Sequence, residues 1–168
     1  MTSPALQKSL VLPRQPGTYA LIFSLYDSSQ ICIGKLGDFF FPAGYYLYIG
    51  SALGSGGLAG RLYRHIYRSE TDGPRHWHVD YLAAKASLQE IWYYSYPNRR
   101  EHVWAETASG LDGALIPVPR FGASDCHCPA HLYFFESRPD RENFNLLLSM
   151  RKPREPVVIG QSLANIQS

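Results

Sequence analysis

The chain has 168 residues, enough for one domain with a real core and too few for two comfortable ones. Hydrophobic residues make up 45%, ordinary for a globular protein, and the net charge of +2 (16 Lys and Arg against 14 Asp and Glu) is too small to argue nucleic-acid binding by itself. Three cysteines argue against a disulfide framework, and no stretch resembles a signal peptide or approaches the ~20 apolar residues of a membrane span. The expected setting is a reducing cytoplasm with no membrane partner.

Residues 1–16 hold three prolines and no period, and read as an N-terminal arm. The apolar run 18–26 predicts a strand, Asp27-Ser28-Ser29 a turn, and 30–34 a returning strand. Residues 38–42 are a short extended piece before the Pro42-Ala43-Gly44 turn. Residues 45–51 form the strand that enters a glycine-rich loop. Connections this short predict antiparallel pairing. The segment 57–69 is the clearest helix. At ~100° per residue, Leu58, Ala59, Leu62, Tyr63 and Ile66 share one face, with Arg61, Arg64, His65 and Arg68 opposite. Arg61 and His65 lie one turn apart at the border of the apolar face, half-sheltered.

Further on, 76–86 reads as a short helix opening with His76-Trp77-His78, and 88–96 as a strand. Residues 100–110 predict a helix closed by Gly110, 116–130 a loop, 131–136 a strand, and 139–150 a helix starting at Pro139. The tail 151–168, with Arg151, Lys152 and Arg154, reads as polar and loosely held. The domain proper is then 17–150.

Four groups carry chemistry. Glycines 50, 54, 56, 57 and 60 would let a backbone approach a phosphate at a helix N-terminus, but their spacing fits neither the P-loop nor the dinucleotide fingerprint. A plain strand-to-helix turn is the favoured reading. Arg61 and His65 offer a cation for a phosphoryl oxygen beside a titratable base, or else only a solvated basic face. His76, His78, Cys126, Cys128 and His131 form a candidate zinc or structural cluster, although Cys-x-Cys lacks the usual Cys-x2-Cys spacing; His side chains satisfying buried polar groups, with Cys packed as small apolar residues, are the alternative. Glu101 opens a helix and either caps it or holds Mg2+. Of the 16 basic residues 12 are Arg, the side chain that grips phosphate with two donors.

Gly17-Thr18-Tyr19 and Tyr48-Ile49-Gly50 resemble the two half-motifs that name the GIY-YIG nuclease superfamily, and Arg61 with His65 resembles its catalytic helix. Residues 44–52, His76 to Leu82, and Phe121 to Cys128 with His131-Leu132 are similar to a branch sometimes fused to endonuclease III-type repair proteins. The resemblance spans about residues 17–136. It implies an α+β fold: a small, mainly antiparallel sheet flanked by helices, with an inserted β-hairpin, because Tyr19 and Tyr48 stand farther apart than the family's motifs do.

It also implies an endonuclease that hydrolyses phosphodiester bonds in DNA with one divalent ion, Mg2+ or Mn2+, in a repair setting. Carried over by position, Tyr19 and Tyr48 orient water or phosphate and Arg61 stabilises the transition state. His65 or a tyrosine acts as base, and Glu101 binds the metal with Glu106 in reserve. The family's late Asn has no clear equivalent, Ser124 or Asp125 being nearest. The competing expectation is a non-catalytic nucleic-acid-binding module, with a structural zinc, in which Arg61, Arg64, Arg68 and Arg75 alternate with Tyr63, Tyr67 and Trp77 along the nucleic acid.

Overall fold

The computed structural model describes residues 10–152 and 158–163. The first nine positions of the arm, and tail positions 153–157 and 164–168 with Arg154, lie outside them. The fold is α+β. Five antiparallel strands form the main sheet: β1 (Gly17–Leu25), β4 (Gly44–Ala52), β5 (Ser87–Ser95), β6 (Leu132–Phe135) and β7 (Ile159–Ser162), in the order β6-β4-β1-β5-β7. The expected hairpin is present as β2 (Ser29–Cys32) and β3 (Asp38–Phe41), a separate two-stranded sheet inserted between β1 and β4. Four helices flank the sheet: α1 (Gly57–Glu70), α2 (His78–Ala83), α3 (Glu101–Ser109) and α4 (Arg141–Arg151).

β1 is central and covered on both faces, which is why its sequence is apolar almost without alternation. One face carries Tyr19, Leu21, Phe23, Tyr46 and Tyr48, packed under Leu58, Leu62 and Ile66 of α1 and Val79 and Leu82 of α2. The other carries Ala20, Ile22, Leu47, Ile49 and Trp92, packed under Trp104 and Ala108 of α3 and Phe144 and Leu148 of α4. The Trp92 and Trp104 rings each meet Phe144 at 5.4 Å between centroids.

Residues 10–16 of the arm and 158–163 of the tail are more structured than their sequence suggests. Leu10 and Leu12 of the arm are buried in the α1 face, and Tyr63 donates its hydroxyl to the Leu10 carbonyl at 2.7 Å. The tail was expected to be loose, yet β7 pairs with β5 from Glu90↔Ser162 to Tyr93↔Ile159. Val158 and Leu163 are buried at either end of it. Two apolar anchors around four residues are too short a pattern to stand out from a polar tail. The helix expected over 76–86 is shorter, because the Asp80 carboxylate takes the amides of His76 and Trp77 and fixes the helix start after them.

The glycine loop is a turn. Gly56 and Gly57 take left-handed φ values of 88° and 57°, and a side chain on Gly57 would collide with the arm carbonyls. Two arm carbonyls also cap α1: the Leu58 amide donates to Gln15 at 3.0 Å and the Ala59 amide to Pro13 at 2.8 Å. The amides that would have cradled an anion are already satisfied. No helix among the described residues is long and apolar enough to cross a membrane.

Candidate active site

Strand register brings the two half-motifs together. Tyr19 lies opposite Gly50, and Tyr48 opposite Leu21, so the two tyrosines sit diagonally on one face of neighbouring strands. Gly50 has to be glycine, since a Cβ there would run into the end of the Tyr19 ring. The Tyr19 hydroxyl is hydrogen-bonded to His65 Nε2 at 2.8 Å. Burial raises both phenols above their ordinary range, helped at Tyr19 by the charge of Tyr48 and at Tyr48 by that of Glu101, so both are neutral at physiological pH.

His65 departs from expectation. It is 3% exposed, enclosed by Tyr19, Tyr48 and Trp77, where a half-sheltered position had been expected. Burial and the neighbouring Arg64 cation push its pKa down to about 3. A base that weak, and out of contact with solvent, is a poor proton acceptor for water. Its role here is to hold the Tyr19 hydroxyl.

Beside this pair lies a cavity of about 330 Å³, and Tyr19, Tyr48, Arg61 and Glu101 all line it. They come from β1, β4, α1 and the first residue of α3. Glu101 is largely sheltered and pairs with Arg99 Nε at 3.3 Å. Ser124 and Asp125, the positions nearest the missing Asn, line the cavity too, as does Ser51. The Ser51 and Thr18 hydroxyls are directly cross-strand from one another, and both are buried without a hydrogen-bond partner. Glu106, the reserve metal ligand, is exposed away from the cavity, with Arg151 at 3.9 Å. Arg99 and Ser51 carried no role in the sequence reading. The run Arg99-Arg100-Glu101-His102 after the Pro97-Asn98 turn was the available signal, as charge crowded at a helix start.

Of the four arginines expected along a nucleic acid, Arg64, Arg68 and Arg75 do not line the cavity. Arg64 forks onto Asp80, at 3.2 and 3.0 Å, and its guanidinium lies 3.6 Å from the centre of the Trp77 ring. Asp80 is buried. Burial would raise its pKa, but the Arg64 fork and the His76 and Trp77 amides outweigh it and hold the carboxyl below its ordinary range. Arg68 packs over Tyr67 with its Nε buried, and Arg75 pairs with Asp72 at 3.7 Å over the Tyr81 ring. Arg64 is thus structural. Arg61 keeps its place at the cavity, 4.5 Å from the Trp77 ring centre.

The expected zinc cluster is re-drawn. Cys126, Cys128 and His131 come together with His102, and one ligand atom from each lies within 4.8 Å of the others. This His/Cys group has the composition of a metal-binding cluster. His76 and His78 are not part of it. The Gly122 amide donates to His78 Nδ1 at 2.9 Å, fastening α2 to the 121–131 loop, while His76 stands on the cavity wall. Burial lowers the His131 pKa, leaving the neutral imidazole that ligates metals. Burial and the adjacent Cys126 push the Cys128 thiol up to about 11.

A family model described as a domain of unknown function, DUF123, matches residues 18–151. No curated protein and no solved structure matches the chain.

Proposed function

We propose that this chain, which belongs to the DUF123 family, is a metal-dependent endonuclease of GIY-YIG type that hydrolyses phosphodiester bonds in DNA, with repair as its setting. The observation that carries the reading is the meeting of Tyr19, Tyr48, Arg61 and Glu101, from four separate elements, on one cavity. Arg61 offers a fixed positive charge where a phosphoryl oxygen gains negative charge. The neutral Tyr48 hydroxyl, and that of Tyr19 held by His65, orient water or a phosphate oxygen by hydrogen bonding. Arg99 supplies a second guanidinium at the same cavity for the adjoining phosphate.

The donor set suits a small hard cation. Glu101 and Asp125 bring two carboxylates to one cavity, and Mg2+ or Mn2+ would be held there by one or two carboxylates plus water and substrate. When bound, such an ion stabilises charge on the reacting phosphate and makes water more acidic. The His/Cys cluster is of softer chemistry and suits Zn2+.

Cleavage of supercoiled, nicked, flapped and branched DNA with Mg2+ and with Mn2+ tests the reading. Glu101→Gln keeps the size of the side chain and removes its charge. It is expected to lower metal-dependent cleavage by about a hundredfold or more while changing DNA affinity little. No cleavage by the wild-type protein on any of these substrates with either metal would leave a binding module as the better description.

A further inference from the structure

We propose that His102, Cys126, Cys128 and His131 bind one Zn2+, and that this ion pins the start of α3, and with it Glu101, to the loop that walls the cavity. The ligands come from two separate segments: His102 from the first turn of α3, and Cys126, Cys128 and His131 from the loop that leads into β6. His102 Nδ1 lies 3.0 Å from Cys128 Sγ, and His131 Nε2 lies 3.4 Å from Cys126 Sγ. A tetrahedron with Zn–S of about 2.3 Å and Zn–N of about 2.0 Å has ligand–ligand edges of roughly 3.3–3.8 Å. Those two separations are close to such edges, and all four atoms lie within 4.8 Å of one another. Two thiolates with two imidazoles favour zinc over Mg2+ or Ca2+, and binding releases the two thiol protons to solvent.

The loop is shaped for this task. The Cys128 amide points at Cys126 Sγ, 3.4 Å away. Arg120 Nη1 donates to the Cys128 carbonyl at 2.8 Å, and the Arg120 amide donates to the Pro129 carbonyl at 2.7 Å. The His131 amide donates to Phe121, closing the loop at its base. On the other side of the cluster, α3 begins at Glu101 with no side-chain cap on its first amides. A metal bond at its second residue would tether a helix start that has no side-chain cap. Cys126 and His131 also line the cavity, so the ion would stand directly behind its wall.

Zinc binding itself stands apart from the nuclease reading; only its consequence for a metal-holding Glu101 rests on that reading. The full chain, purified without chelator and reconstituted with Zn2+, is expected to hold one zinc per chain by elemental analysis. His102→Ala and Cys126→Ser should each lower this more than tenfold, whereas His76→Ala and His78→Ala should keep it. His102→Cys replaces one ligand by another and should retain the metal, which separates loss of a ligand from loss of the fold. Co2+ added to the stripped wild-type protein should give the intense visible and thiolate charge-transfer bands of a tetrahedral site. Zinc should also slow amide hydrogen exchange at 100–104 and 121–131.

Absence of zinc after reconstitution, or full zinc in His102→Ala, would overturn the site. Zinc bound with unchanged exchange at 100–104 would overturn the pinning. Each readout is taken without DNA, so an inactive protein that binds zinc counts against the nuclease reading alone.

Discussion

Arg61→Ala is expected to lower the rate of metal-dependent DNA cleavage by about 10³-fold while the domain stays folded. The guanidinium reaches the cavity from α1, and among the described residues no carboxylate pairs with it. Its positive charge is therefore available to a phosphate. The truncation removes a stacking contact with Trp77, worth roughly 0.5–1 kcal/mol, and leaves no buried group unpaired, so the loss of stability is of that order. Arg61→Lys keeps a charge but not the planar two-donor fork, and should recover only part of the rate.

Arg64, one turn position away, should behave in the opposite way. Its fork sits on a carboxylate that is 2% exposed, and Arg64→Ala would strand that charge. Because the Arg64 side chain is itself 24% exposed, the expected cost is roughly 2–3 kcal/mol of stability. Single-turnover cleavage and urea denaturation on both variants give the comparison. Normal cleavage by Arg61→Ala would remove the assignment of the cavity as a phosphodiester site. A stable Arg64→Ala would contradict the structural role of the Asp80 fork.

The contrast between these neighbours shows what a helical period can and cannot reveal. Arg61, Arg64, His65 and Arg68 read as one basic stripe because periodicity gives only the angle around the axis. What separates them is tertiary. Trp77 and Asp80 arrive from the next segment to claim Arg64, and the same Trp77 with Tyr19 and Tyr48 closes over His65. The strands were easier to read. β1 and β4 are long apolar runs bounded by turn residues, and their short connections left little but antiparallel pairing. β7 was not readable, since its four residues owe their place to the β5 edge and to two buried flanking side chains.

The metal cluster was half readable for a similar reason. Cys126, Cys128 and His131 are close in sequence, but the fourth ligand stands on a helix start 24 residues earlier, and only the fold brings it near. His76-Trp77-His78 looked like a ligand source because histidines are conspicuous. The organising residue of that segment is Asp80, which gathers two amides and a guanidinium and leaves the imidazoles to other tasks. Glycine in the loop after β4 invited a phosphate, and the arm carbonyls of Pro13 and Gln15 took the amides instead.

Acid should destabilise the fold through His65. Its pKa in the folded chain is about 3, against an ordinary value of 6.5 in the unfolded chain. Between those values the unfolded chain binds one more proton than the folded one, so stability rises with pH across the window. The contribution is fully present above about pH 6.5. It is lost progressively as pH falls toward 3, by on the order of 5 kcal/mol in total. Asp80, held low by Arg64, acts in the same direction at lower pH, so a variant has to isolate His65. His65→Gln keeps a hydrogen-bonding end for the Tyr19 hydroxyl but cannot take the proton. It is expected to be less stable than wild type at pH 7, yet to lose far less on going from pH 7 to pH 4.5. Urea denaturation at half-unit intervals measures the slope directly. Equal slopes for the two proteins would mean that His65 is not buried as a neutral ring, and its place as the support of Tyr19, rather than a solvent-facing base, would fall with it.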